Sequence, residues 1–121
     1  MKKIKINNVE WKVIPFRRTT EEYDGQTSVS QLTIKFNICQ EKDIVRKSLI
    51  HELVHAHLDS FGFGSYSTGS LTIEQVCEFI SFNCENIIKL TDDIMKGIEL
   101  WVKTYQNKRK CKQITKHFIE H

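Results

Sequence analysis

Alternating apolar and polar residues open the chain and predict β-strands. The first two strands are predicted to form a hairpin around a turn at Asn7-Asn8, and the hairpin is expected to end at Pro15. The polar stretch of residues 17–28 is predicted to be a loop. A third strand is predicted from alternating apolar residues, which are Leu32, Ile34, Phe36 and Ile38.

After residue 43 the apolar spacing changes to that of helices, and three helices are predicted. The first begins at Ile44 with Asp43 as its cap, and it ends where Gly62 and Gly64 interrupt the pattern. Residues 60–70 join it to the second helix. This segment is predicted to be a plain connector or, alternatively, a mobile lid in which Tyr66 donates to the developing oxyanion.

The second helix is predicted to start with a capping box formed by Thr72 and Gln75 and to run up to Leu90. A third helix is predicted to begin with Thr91 as its cap. The buried face expected for the second helix contains Ile73, Val76, Cys77, Ile80, Cys84, Ile87 and Ile88. The buried face expected for the third contains Ile94, Ile98, Trp101, Val102 and Tyr105.

The first helix contains the sequence His-Glu-x-x-His, formed by His51, Glu52 and His55. Residues four apart lie one helical turn above each other, so both histidines can direct a ring nitrogen at one metal ion. A carboxylate beside a zinc-bound water can accept its proton and pass it to a leaving amine. The motif therefore predicts a zinc hydrolase with Glu52 as general base. The alternative is an amphipathic core helix with solvent-facing polar residues.

A catalytic zinc needs a third protein ligand, and the second helix offers two carboxylates one turn apart. Glu74 is predicted to bind zinc, and Glu78 to accept the remaining N–H of a ligating histidine. These two roles could be exchanged, or both residues could be ordinary solvated carboxylates. His57 points about 200° around the helix from His55 and is predicted to be a core or surface residue. Phe61 stands where an extended zinc motif would place its third histidine.

The run from Ser48 to Ala56, followed by residues 74–80, resembles the ImmA/IrrE-type zinc metallopeptidases of bacteria and their phages. In that family a His-Glu-x-x-His helix is followed by a helix of the form Glu-x-Ala-Asn/Asp-x-Phe-Ala, whose Glu completes the zinc site. The match covers about residues 24–90. The resemblance implies that His51, His55 and Glu74 are zinc ligands and that Glu52 is the general base. It also implies a specific protein substrate, such as a phage or mobile-element regulator.

These observations together predict an α+β minimal zincin, with a small antiparallel or mixed sheet followed by three helices, the first two of which carry the metal ligands. The predicted function is zinc-dependent hydrolysis of a peptide bond in a protein. The strand from Leu32 to Ile38 is expected to lie at the edge of the sheet and to bind the substrate in extended form. The alternative function is that of a zinc-stabilised, non-catalytic protein that recognises a protein partner or DNA.

The length of 121 residues predicts one domain over residues 1–121. The formal charge is +3, but the part from Trp101 onward carries six basic residues against Glu120 alone, so a basic tail is predicted at about 103–121. A solubilising or disordered end is favoured over nucleic-acid binding for this tail. The four cysteines lack Cys-x-x-Cys spacing and no membrane-spanning run occurs, so a reduced, cytoplasmic protein is expected.

Overall fold

A four-stranded mixed sheet is formed by about the first third of the chain. The computed structural model describes residues 2–18, 25–63 and 70–105, with side chains up to Glu99. The strands are β1 (Lys2–Ile6), β2 (Val9–Phe16), β3 (Gly25–Ser28) and β4 (Thr33–Asn37). Their order across the sheet is β1-β2-β4-β3. The central pair β2 and β4 is parallel, whereas each outer strand is antiparallel to its neighbour.

The predicted hairpin is confirmed, with Asn7 and Asn8 at its turn. Their φ angles are +50° and +66°, the left-handed region that a tight two-residue turn requires and that Asn tolerates. The turn also contacts the helical layer, because the Asn7 amide donates a hydrogen bond to the Ser60 carbonyl at 3.0 Å. β2 extends through Pro15, one residue past the predicted end. Pairing with β1 stops at Val13, so the missing N–H of Pro15 interrupts no bond to that strand.

The segment predicted to be a loop contributes a strand. β3 occupies residues 25–28 and pairs with β4 from Gly25 opposite Phe36 to Ser28 opposite Thr33. The predicted third strand is confirmed as β4, but its position is not at an edge, because β2 and β3 flank it on both sides. Its burial agrees with that position, since four of its five residues are buried. Of the two edge strands, β3 packs more extensively against the first helix.

The first helix, α1, spans Lys42–Ser60. Glu41 occupies the N-cap position without a side-chain cap hydrogen bond, and Asp43 lies inside the first turn, so the predicted cap is wrong. The helix ends as expected near Gly62, whose φ of +82° suits glycine. There the amide of Gly62 donates to the carbonyl of Asp59 at 3.2 Å.

The second helix, α2, spans Ile73–Tyr105 as one continuous element, so the prediction of three helices is wrong. Its start agrees with the predicted capping box. The Gln75 amide donates to Thr72 Oγ1 at 3.1 Å, and the Thr72 amide donates to Gln75 Oε1 at 2.9 Å. Thr91 does not cap a new helix. Its buried hydroxyl donates instead to the Ile87 carbonyl one turn earlier at 2.7 Å, which keeps the side chain satisfied inside α2.

The core lies between one face of the sheet and the two helices. Its largest fully buried side chains include Trp11, Phe36 and Leu49. The buried face of α2 differs from the predicted one, because only Ile87 of the seven expected residues is buried. α2 packs through a face rotated from that one, which contains Phe79, Asn83, Ile87, Thr91, Ile94, Met95 and Ile98.

The cysteines do not share one state. Cys77 and Cys84 are free and exposed, which overturns their expected packing in the core. Cys39 is disulfide-bonded, so the expectation of four reduced cysteines is wrong. Across the described residues, no helix combines the length and apolar character needed to cross a membrane. Tyr66 and residues 106–121 of the predicted basic tail lie outside the described residues, so the predictions for them are not tested.

Candidate active site

His51 and His55 form a pair on the exposed side of α1. Their Nε2 atoms are 3.2 Å apart, and their rings meet edge to face with centroids 4.8 Å apart. Both side chains are exposed even though α1 is otherwise packed against the sheet and α2. Two facing ring nitrogens at this distance cannot both carry a hydrogen. Both nitrogens can instead direct a lone pair at one cation.

The spacing of this pair fits a tetrahedral zinc ion. With zinc–nitrogen bonds of 2.0–2.1 Å and tetrahedral angles, two bound nitrogens are separated by about 3.3 Å. The 3.2 Å between the Nε2 atoms of His51 and His55 is close to that value. The helix therefore presents two of the nitrogen donors that zinc requires, at nearly the separation that tetrahedral coordination needs.

Glu52 lies on the same turn of α1 but points toward the sheet. Its side chain is 8 % exposed, in contrast to the two exposed histidines beside it. The hydroxyl of Thr27 on β3 lies 2.8 Å from Glu52 Oε1 and 3.1 Å from the Glu52 carbonyl oxygen. A hydroxyl that donates to a carboxylate forms a strong hydrogen bond, so the orientation of Glu52 is fixed by the neighbouring strand.

Gly25, two residues before Thr27, faces the same carboxylate. A Cβ atom at this position would lie 2.9 Å from Glu52 Cγ and 3.1 Å from Glu52 Oε2. It would also lie 2.9 Å from the Lys35 carbonyl oxygen, which belongs to the paired strand and cannot move aside. Because residues two apart on a strand share a face, Gly25 and Thr27 together form a cradle for the Glu52 side chain.

The two carboxylates predicted on the second helix are both exposed. Glu74 lies in the first turn of α2, and Glu78 follows one turn later. Within residues 2–18, 25–63 and 70–99, no three side chains of His, Cys, Asp or Glu are grouped so that they could hold a metal ion. The described structure therefore does not bring Glu74 to the histidine pair, and its role as third ligand stays a prediction. The same holds for Glu78 as partner of a ligating histidine.

Glu78 instead lines a cavity of about 290 Å³ at the end of α1. The other lining residues are Phe61, Phe63, Phe79, Phe82 and Asn83. Phe63 and Phe79 meet edge to face there, with ring centroids 5.6 Å apart. This part of the structure is mainly aromatic.

His57 is fully buried and points away from the histidine pair, as its angle on the helix predicts. Its Nδ1 donates to the Leu53 carbonyl at 2.7 Å, and its Nε2 accepts from the Asn86 amide at 3.1 Å. Burial lowers the pKa of His57 below its usual value, partly offset by the hydrogen bond to Leu53. A neutral imidazole that joins α1 to α2 is a structural residue.

Gly25 and Thr27 are the site residues that sequence reasoning missed. They lie in a polar run without the apolar alternation typical of strands, so no sequence pattern indicated that residues 25–28 belong to the sheet.

Comparison with known proteins gives no match: no family model, no curated protein and no solved structure corresponds to this chain.

Proposed function

We propose that this protein is a zinc-dependent metallopeptidase with its active site on α1. The observation that carries the proposal is the 3.2 Å separation between the Nε2 atoms of His51 and His55. Glu52 on the same helical turn supports a catalytic rather than a purely structural metal, because a structural site needs no base beside its ligands. The resemblance of the motif and of residues 74–80 to ImmA/IrrE-type peptidases points to the same activity.

His51 and His55 would hold the metal through Nε2, and Glu74 is the proposed third ligand. When bound, zinc supplies a Lewis acid that polarises the scissile carbonyl and acidifies water. Glu52 accepts the proton of the attacking water and returns it to the nitrogen of the leaving amine, which becomes an amino group. The bond between carbonyl carbon and nitrogen breaks, and both products leave without change of oxidation state.

An extended peptide is the substrate that best fits the surroundings of Glu52. β3 has a paired neighbour on one side only within the described sheet, so its other edge can pair with an added strand. This strand replaces β4, which was expected to bind the substrate but is covered on both sides. A regulator protein of a phage or mobile element remains the predicted substrate class, and the cytoplasm the predicted location.

The metal is tested first, by elemental mass spectrometry of protein purified without chelators or a histidine tag. We expect one zinc per wild-type chain and loss of zinc in His55→Ala and Glu74→Gln. Glu85→Gln is the matched control, because Glu85 is another exposed carboxylate of α2. Wild-type protein that stays free of zinc after incubation with the metal would contradict the proposal. Zinc retained by Glu74→Gln would remove that residue from the site.

Cleavage is tested on a proteome-derived peptide mixture, with new amino termini read by mass spectrometry. Glu52→Gln is the control, because it should keep zinc while lacking the base. We expect termini that appear with the wild type and are absent with Glu52→Gln. Zinc binding by both proteins, without any such difference on peptides or on intact proteins of the host, would favour the alternative of a zinc-stabilised binding protein.

A further inference from the structure

The general base is held by a strand that contributes no ligand to the metal. Glu52 has two neighbours on β3, which are the hydroxyl of Thr27 and the bare Cα of Gly25. Both lie on the face of β3 that meets α1, and the intervening residue Gln26 is exposed on the other face. Because side chains alternate between the two faces of a strand, Thr27 and Gly25 both face Glu52. Thr27 donates the hydrogen bond, and Gly25 leaves space for the carboxylate.

A free glutamate side chain has three rotatable bonds and samples many orientations. At this site the hydrogen bond of 2.8 Å between Thr27 and Oε1 fixes one carboxylate oxygen. The approach of Cγ and Oε2 to Gly25 restricts the rest of the side chain to a narrow space. A base whose position is set before the reaction loses less freedom on reaching the transition state.

We propose that Thr27 is a positioning residue of this enzyme, which acts by orienting the carboxylate of Glu52 through its hydroxyl. Gly25 assists by leaving the space that this orientation needs. The inference rests on the proposed peptidase function. It differs from a structural role for Thr27 in one respect: the hydroxyl affects the rate of the chemical step, whereas the affinity for metal and substrate is left unchanged.

The kinetic test compares Thr27→Val with Thr27→Ser on a peptide that the wild type cleaves and Glu52→Gln does not. For Thr27→Val we expect one zinc per chain, an unchanged KM within about twofold and a kcat lowered about tenfold. Thr27→Ser restores the hydroxyl and should restore kcat to within about twofold of the wild type. Thr91→Val is the matched control, because it removes a threonine hydroxyl that donates to the Ile87 carbonyl within α2, and it should leave kcat unchanged.

A second measurement is independent of activity and uses the zinc-free protein. Glu52→Met keeps the side-chain length and removes both oxygens. We expect Thr27→Val to lower Tm by roughly 5 °C in the wild-type background and by no more than about half as much in the Glu52→Met background, where the hydroxyl can still donate to the main-chain carbonyl of residue 52. Equal losses in the two backgrounds would show that the hydroxyl does not act through Glu52, and would overturn the inference.

The outcomes separate this inference from the proposed function. If wild-type protein binds no zinc and cleaves no peptide, the proposed function fails, and the positioning role falls with it whatever the melting data show. If the wild type is active but Thr27→Val has an unchanged kcat, or Thr27→Ser fails to restore it, only the inference is overturned. A changed KM with constant kcat would likewise overturn it.

Discussion

At the scale of single residues, one turn of α1 places neighbouring polar side chains in different surroundings. His51 and His55 are exposed with facing Nε2 atoms, whereas Glu52 is buried against β3. Consecutive residues of a helix differ by 100°, so the sequence predicts the pairing of the histidines without any tertiary information. It does not predict what Glu52 contacts, because Thr27 lies 25 residues earlier on a strand that pattern analysis placed in a loop.

Gly25→Ala is expected to destabilise the protein by about 1–3 kcal/mol, because its Cβ would overlap Glu52 and a backbone oxygen of β4. Gly97→Ala is the matched control. Gly97 lies within α2 and has no atom within 4 Å of the added Cβ, so this change should stabilise by about 0.5–1 kcal/mol. Urea unfolding of both variants measures the difference, and equal effects would contradict the close approach of Gly25 to Glu52.

The buried His57 is expected to make the free energy of unfolding depend on pH. Its pKa is lowered in the folded protein, so below pH 6.5 the unfolded chain binds a proton more readily than the folded one. The contribution of neutral His57 to the free energy of unfolding should therefore be complete above pH 6.5. It should decrease as the pH falls toward the pKa of His57 in the folded protein. The slope from one such group is at most about 1.4 kcal/mol per pH unit.

The measurement compares urea unfolding of the wild type and His57→Gln from pH 8 to pH 4.5. Gln retains hydrogen-bonding groups but does not titrate in this range. We expect His57→Gln to be less stable at pH 8 and to lose less stability on acidification. Parallel curves for the two proteins would show that His57 is not the group responsible.

At the scale of elements, α2 is where the sequence pattern and the structure differ most. Thr91 followed by two acidic residues resembles a helix start, but the Thr91 hydroxyl is satisfied by Ile87 within the helix. The apolar residues also occupy more of the helix circumference than one neighbour can cover. α1 and the sheet cover one side, so Phe79 is buried and Ile80 is 52 % exposed. Local capping was predictable at Thr72, because the capping box involves only residues three apart.

Phe79→Ala and Ile80→Ala test which face of α2 is buried. Phe79 is 8 % exposed and contacts Phe63, so its truncation should cost about 3–5 kcal/mol. Ile80 is half exposed, and its truncation should cost less than about 1 kcal/mol. Thermal or urea unfolding of the two neighbouring variants gives the comparison. A larger loss of stability in Ile80→Ala than in Phe79→Ala would show that the face predicted from the sequence is the buried one.

At the scale of the whole molecule, ion pairs connect the start of α1 to the second half of α2. Arg46 Nη1 lies 2.7 Å from Asp92 Oδ1, and the Lys42 ammonium pairs with the Glu99 carboxylate. These contacts join residues 46 or more positions apart, so no local pattern could have predicted them. They also agree with a continuous α2, because Asp92 and Glu99 belong to the same helix that packs through Phe79.

Asp92→Asn is expected to lower the free energy of unfolding by about 0.2–1 kcal/mol, because the pair with Arg46 is largely exposed. Asp93→Asn is the control, since Asp93 makes no ion pair within the described residues. The difference between the two variants should shrink in 1 M NaCl, where the Debye length is about 3 Å. A difference that is independent of salt would point to a contact other than this ion pair.

The order of strands in the sheet has a consequence for how the protein folds. β3 precedes β4 in the chain but is bonded to the sheet only through β4, within the described residues. It is also only four residues long, so it adds little stability of its own. β3 should therefore join last during folding and detach first when the protein opens locally. We expect the amides of residues 25–28 to exchange with solvent faster than those of β2, and each opening to release Glu52 while the histidine pair stays in place.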